Sequence, residues 1–175
     1  MAGVLAAASF GLDSAVVDFG WRADSGEPWR LLTSQFVHLG HVHLAANLFA
    51  AALIVWSCNQ FQLSTRLPAA TLATLAGVGL GLQFGPWAIT WYVGMSGLLH
   101  GLFAWLCLHL AVRASFARPV RKFAGVLYLG GWFKVLITLT TPLGATGWLG
   151  IPQVTPVHLY GYLAGTLWAL LRRTK

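Results

Sequence analysis

Apolar residues run along this chain in long stretches that charged side chains rarely interrupt. Three stretches carry no charged residue at all: residues 31–65, 67–112 and 135–171. A membrane-spanning helix needs about 20 predominantly apolar residues. Dividing the apolar stretches at their Gly- and Pro-rich breaks predicts spans over residues 42–59, 68–83, 96–112, 123–141 and 157–171, if Lys134 is tolerated inside the fourth of these. A short apolar run over residues 1–17 predicts a further span.

The basic residues test this count because they collect on the cytoplasmic side of membrane proteins. Three groups of them are separated by two predicted spans each, which places these three groups on one side. The groups are Arg66, then Arg113, Arg118, Arg121 and Lys122, then Arg172, Arg173 and Lys175. The sequence therefore predicts one all-α membrane domain over residues 1–175, with six helices, both termini in the cytoplasm and an outer loop over residues 18–41.

Composition agrees with a membrane protein. Apolar residues make up 57% of the chain and charged residues only 9%, which excludes an ordinary soluble domain. The net charge of +7 follows from topology and indicates no nucleic-acid partner. All four carboxylate side chains lie within residues 13–27, so the rest of the chain lacks the groups of an aspartyl protease or a zincin. Cys58 and Cys107 lack metal-site spacing and fit buried packing positions, and no cofactor is expected.

Polar residues inside predicted spans are costly and mark function. His43 and Asn47 lie one turn apart on the second span, Ser96 and His100 one turn apart on the fourth, and His158 begins the sixth. By the span count, the N-terminal ends of these three spans all lie on the outer side. These side chains can therefore converge at one depth.

Small residues recur every fourth position on two of these spans, at Gly97 and Gly101 and at Gly161 and Gly165. Such faces let helices approach closely, which would bring Ser96 against His158. An imidazole that takes the serine proton activates the oxygen as a nucleophile. With no carboxylate available the pair would be a dyad, and His43, Asn47 and the Ser96 backbone N–H could stabilise an oxyanion.

Other interpretations of these residues stay open. Ser96 could serve helix packing, and His43 and Asn47 could cross-link helices. His41 and His43 could begin a metal site, although a site of histidines alone fits common designs poorly. Lys134 is interpreted as snorkelling to the outer interface, with binding of an anionic group as the alternative. The aromatic residues near the outer ends, Tyr92 among them, mostly fit interfacial belts.

Three motifs in one order resemble the rhomboid intramembrane serine proteases. They are residues 27–33 with His38, His43 and Asn47, then G-M-S-G at residues 94–97, then H-x-x-G-x-x-x-G at residues 158–165. The resemblance implies that Ser96 is the nucleophile and His158 its base, that His43 and Asn47 line the oxyanion hole, and that Trp29 and Arg30 order the outer loop. Supporting positions are His38, His100, Gly94, Gly97, Gly161 and Gly165.

At one position this chain departs from the common rhomboid pattern, and the departure points to one branch of the family. Many rhomboids carry Tyr four residues after the serine, and this chain has His100 there. G-x-S-G-x-x-H-G is similar to the rhombosortase branch, which implies cleavage of a C-terminal transmembrane tail of Gly-Gly type from exported bacterial proteins. It also implies an inner-membrane enzyme whose site opens to the periplasm, with water or a lipid amine resolving the acyl-enzyme.

Alternative functions are a rhomboid protease with other transmembrane clients, a pseudoprotease that binds clients without cutting them, and a small transporter. Retention of both Ser96 and His158 argues against the pseudoprotease, because binding needs neither. The Gly-rich loop over residues 142–156 is expected to act as a hinged cap over the site.

Overall fold

The structure is a computed structural model that describes residues 14–147, 150 and 152–172. Within those residues the chain is mostly helical, with one two-stranded antiparallel sheet. The helices are α1 Ser14–Phe19, α2 Arg30–Thr33, α3 Gly40–Gln60, α4 Leu67–Phe84, α5 Ser96–Val112, α6 Arg118–Thr138 and α7 Thr155–Leu171, and the strands are β1 Trp21–Arg22 and β2 Trp91–Tyr92. The predicted first span falls mainly on residues 1–13, which lie outside the described residues.

Helices α3 to α7 occupy the regions of the other five predicted spans. Helix α6 differs most, since it begins at Arg118 and ends at Thr138 instead of covering residues 123–141. Pro119 lies in its first turn, where a missing backbone N–H costs nothing. The helix therefore begins before the apolar run, and its first turns carry Arg121 and Lys122.

The outer surface of the helices is strongly apolar. Two helical stretches, Gly40–Gln60 and Ser64–Phe84, are long and apolar enough to cross a membrane, and Ser96–Val112 is apolar but shorter. Large apolar side chains point outward from several helices, including Phe49, Trp56, Phe84 and Phe133. In water an apolar surface of this extent would drive association, so the outer surface suits lipid.

Helix α5 lies at the centre of the bundle and packs against α3, α4, α6 and α7. It is apolar on every side, which is typical of a fully enclosed helix. Its closest neighbour is α7, because glycines face each other along the contact. A Cβ atom at Gly161 would lie 1.9 Å from the carbonyl oxygen of Gly97, and one at Gly165 would lie 1.8 Å from that of Gly101. Only glycine allows this approach, which sets the first turns of α5 and α7 side by side.

The loops before α3 and before α5 are tied together at one end of the bundle. In the sheet, Trp21 pairs with Tyr92 and Arg22 with Trp91. The backbone N–H of Gly94 donates to the carbonyl oxygen of Ser34 at 2.8 Å. These contacts position the segment immediately before α5. Away from this region, Cys58 and Cys107 are buried free thiols, which confirms their interpretation as packing residues.

Candidate active site

Ser96 and His158 meet where α5 and α7 begin. Ser96 is the first residue of α5 and His158 lies in the first turn of α7. The His158 Nε2 atom lies 3.0 Å from the Ser96 Oγ atom, within hydrogen-bond distance. His158 is 5% exposed, and Ser96 is half-buried at the wall of a cavity. The glycine contacts between the two helices hold this geometry.

The turn that precedes Ser96 has a conformation that requires glycine. Gly94 has φ +116°, a region that residues with a Cβ rarely adopt. A Cβ there would also lie 2.6 Å from the Cε1 atom of His43. The glycine therefore allows both the turn into α5 and the approach of the His43 ring.

The Tyr92 side chain holds this turn by hydrogen bonds, a role that the sequence did not reveal. Its hydroxyl donates to the Gly94 carbonyl oxygen and accepts from the Gly97 N–H at 3.3 Å. The side chain is 2% exposed, so its interpretation as an interfacial belt residue is wrong. Burial raises the pKa of Tyr92 to about 12, which keeps the phenol neutral. Aromatic spacing gave no signal for this role, because belt and buried tyrosines look alike in an apolar sequence.

Hydrogen-bond donors converge on a cavity of about 150 Å³ in front of Ser96. The His43 Nδ1 atom accepts the Leu39 N–H at 3.3 Å, which leaves the ring proton on Nε2. The side-chain nitrogen of Asn47 is buried and has no hydrogen-bond partner among the described residues. The Ser96 N–H, at the first position of a helix, has no intrahelical acceptor. His43, Asn47 and Ser96 all line the cavity.

His38 supports His43 from the side. Their rings meet edge to face with centroids 5.0 Å apart. Burial lowers the pKa of His38, so the ring is neutral at pH 7. His38 therefore packs against His43 without placing a charge beside it.

His100 lies on the face of α5 that points to His158. The two rings are stacked, with centroids 4.1 Å apart and an interplanar angle of 13°. The His100 Nδ1 atom is 2.7 Å from the Ser96 carbonyl oxygen, and its Nε2 atom is 2.6 Å from Lys134 Nζ. Lys134 is exposed, and its ammonium group contacts the site at His100, a contact that the sequence pattern did not predict.

The outer loop is ordered by Arg30. Its guanidinium pairs with the Glu27 carboxylate at 2.5 Å and donates to the carbonyl oxygens of Val17 and Gly20. The Trp29 ring lies 4.6 Å from the guanidinium carbon. Arg30 is 6% exposed, so one buried side chain of α2 holds α1 and the residue that precedes β1.

The loop between α6 and α7 reaches the cavity. Pro152, Gln153 and Val154 form part of its wall. The Gly144 N–H donates to the Gln153 carbonyl oxygen, and the Gln153 N–H donates to that of Ala145, both at 3.0 Å. The described part of this loop is therefore a narrow hairpin beside the site.

Two further histidines do not join this arrangement. His41 is exposed at the start of α3, and His109 is buried near the opposite end of α5. Among the described residues, no group of three His, Cys, Asp or Glu side chains is placed to hold a metal ion. The cavity instead brings a serine hydroxyl, an imidazole and N–H groups together, which are the kinds of group that acyl transfer uses.

Comparison with known proteins identifies the family. No curated protein matches the chain. The family model of the Rhomboid domain matches residues 25–175, which include α2 to α7 and the whole candidate site. The chain therefore belongs to the rhomboid family, whose members are in general intramembrane serine proteases.

Proposed function

We propose that this protein is an intramembrane serine endopeptidase in which Ser96 is the nucleophile and His158 the general base. The observation that carries the proposal is the 3.0 Å contact between the Ser96 Oγ atom and the His158 Nε2 atom. It is supported by the position of both residues at the wall of one cavity. The protein has six spans with both termini in the cytoplasm, in a bacterial inner membrane.

In the proposed reaction, the Ser96 oxygen attacks the carbonyl carbon of the scissile peptide while His158 Nε2 takes the serine proton. The negative charge that develops on the carbonyl oxygen is stabilised by the N–H groups of His43 Nε2, Asn47 Nδ2 and the Ser96 backbone. The N-terminus of α5 adds a partial positive charge at the same place. His158 then gives its proton to the leaving amine, and the acyl-enzyme remains.

The acyl-enzyme is resolved by water or by an amine. Water yields a free carboxylate, with His158 accepting a proton from the attacking water. An amine on a membrane lipid yields an amide, in which case the product carries the lipid. Both outcomes release Ser96, and intact mass of the product distinguishes them.

The substrate is a membrane protein that carries a C-terminal transmembrane tail preceded by a Gly-Gly motif. A groove of about 850 Å³ between α3 and α6 supports entrance from the lipid side, because apolar residues line it and it ends at His100 and Lys134. Each glycine weakens a helix by about 1 kcal/mol, so a Gly-Gly tail unwinds easily. The small cavity before Ser96 also favours residues without bulky side chains.

The test is co-expression with an exported reporter that ends in a Gly-Gly transmembrane tail. Wild-type protein is expected to shorten the reporter, while Ser96→Ala and His158→Ala leave it intact. A matched reporter in which both glycines are replaced by leucine measures the tail specificity. Cleavage of both reporters by the wild type would remove the Gly-Gly preference and leave a rhomboid protease with other clients.

A pseudoprotease predicts a different pattern. Wild type and both variants would bind the tailed reporter equally, and none would shorten it. Equal capture without cleavage in detergent and in cells would therefore replace the protease with a client-binding protein.

A further inference from the structure

The His158 side chain lacks the partner that orients the base in a catalytic triad. Its Nδ1 atom is buried and has no hydrogen-bond partner among the described residues. The sequence has no carboxylate side chain beyond Glu27, so a triad acid is not available from α2 to α7. The plane of the His158 ring must therefore be held by something other than a hydrogen bond to Nδ1.

The His100 ring is placed to hold the plane of the His158 ring. It is stacked on His158 with a centroid separation of 4.1 Å and near-parallel planes. A stacked neighbour restricts rotation of the His158 ring about its Cβ–Cγ bond and keeps Nε2 directed at Ser96. This restriction works only if His100 is itself held in one orientation.

Both nitrogens of His100 are engaged. Nδ1 lies 2.7 Å from the Ser96 carbonyl oxygen, which can only accept, so Nδ1 carries a proton. In the neutral ring the other nitrogen, Nε2, then presents a lone pair. Lys134 Nζ lies 2.6 Å from Nε2 and is the donor that satisfies it.

We propose that Lys134 is a positioning residue of the catalytic site. It donates to His100 Nε2, keeps the His100 proton on Nδ1 for the Ser96 carbonyl oxygen, and thereby fixes the ring that stacks on His158. The pair replaces the orienting carboxylate of a triad by a hydrogen-bonded stack. This inference rests on the proposed roles of Ser96 and His158.

A double-mutant cycle tests whether Lys134 acts through His100. The variants are Lys134→Met, His100→Phe and both together, and the readout is turnover of a cleavable reporter in detergent. Phenylalanine keeps an aromatic ring beside His158 but cannot accept from Lys134. Lys122→Met, on the same helix and far from the site, controls for loss of a lysine from α6.

The proposal predicts that Lys134→Met lowers kcat about 10- to 100-fold in the His100 background, the order expected when a catalytic group is misplaced. KM stays within about twofold, because in this proposal the Lys134 ammonium donates to His100 and not to the substrate. In the His100→Phe background, Lys134→Met lowers kcat by less than about twofold. Equal losses in both backgrounds, or a loss confined to KM, would show that Lys134 acts on the substrate and would overturn the proposal.

A second measurement does not depend on turnover or on the folding of variants. The ¹⁵N resonances of the His100 ring in the wild-type protein report which nitrogen carries the proton. The proposal requires it on Nδ1, and a proton on Nε2 alone would contradict it. If the wild type cleaves nothing while the proton is on Nδ1, the proposed protease fails and the pairing of Lys134 with His100 stands.

Discussion

Asn47 illustrates how single residues mark the site. Its amide nitrogen is buried without a partner among the described residues, and the side chain lines the cavity. Such a group is explained if an acceptor arrives during the reaction. The spacing of His43 and Asn47 predicted that both face one way, and both line the cavity. Spacing alone could not show that the amide nitrogen lacks a partner, because this depends on the neighbouring helices.

Replacing Asn47 by alanine tests its role as an oxyanion donor. We expect Asn47→Ala to lower kcat about 100- to 1,000-fold with little change in KM, as removal of one such donor does in other enzymes. Steady-state turnover of a cleavable reporter measures both constants. A rise in KM at unchanged kcat would make Asn47 a substrate-binding residue instead.

His43 is tested with a neighbour as its control. We expect His43→Ala to lower kcat at least about 10-fold, since the change removes the Nε2 donor and the ring that packs against Gly94. His41→Ala changes an exposed histidine of the same helix turn that does not line the cavity, and it should retain turnover. An equal loss of kcat in the two variants would indicate a general effect on the start of α3.

Tyr92 is tested by removing one atom. Tyr92→Phe keeps the buried ring but removes the hydroxyl that bonds Gly94 and Gly97. We expect the free energy of unfolding to fall by about 1 kcal/mol, together with a lower kcat because the turn before Ser96 loosens. Thermal unfolding and turnover in the same detergent measure both effects. Unchanged turnover would show that the turn is held by Gly94 and its other contacts alone.

At the scale of elements, the glycine pattern predicted the closest helix contact and the structure explains it. Spacing of four residues at 97 and 101 and at 161 and 165 places each pair on one helix face, and these faces meet. The sheet could not be predicted in this way, since strands of two residues carry no periodicity. The approach of Lys134 to His100 also escaped prediction, because the rotation of α6 depends on packing rather than on spacing.

The helix contact makes a sharp prediction for Gly161→Ala. The added Cβ would collide with the Gly97 carbonyl oxygen, so α5 and α7 must separate. We expect a loss of about 1–3 kcal/mol in the free energy of unfolding and loss of turnover as Ser96 and His158 part. Gly130→Ala on α6 is the matched control, because a Cβ there meets nothing within 4 Å. Equal unfolding temperatures for the two variants would contradict the close contact.

At the scale of the whole molecule, charge placement carries most of what the sequence predicts. The confinement of carboxylates to residues 13–27 is enough to exclude several protease classes, because their catalytic acids have no counterpart in the later helices. The apolar stretches located the five long helices of the described residues to within a few positions, with α6 the largest difference. The order of the motifs indicated the family that the Rhomboid domain match shows.

The proposed membrane orientation rests on the same charges, and labelling tests it. In a background where Cys58 and Cys107 are alanine, Thr141→Cys lies after α6 and Ser115→Cys lies between α5 and α6, both exposed. We expect a membrane-impermeant maleimide, added to cells with a permeable outer membrane, to label the cysteine at 141 and not the one at 115. The reverse pattern would invert the proposed topology.

Covalent labelling of Ser96 by a fluorophosphonate, read by intact mass and peptide mapping, tests the proposed Ser96–His158 pair most directly. We expect one adduct on the wild-type protein, located at Ser96. Ser96→Ala should show no adduct, and His158→Ala should show strongly reduced labelling because the serine loses its base. Wild-type protein that remains unlabelled while folded, or an adduct that persists in Ser96→Ala, would contradict a Ser96–His158 nucleophile pair.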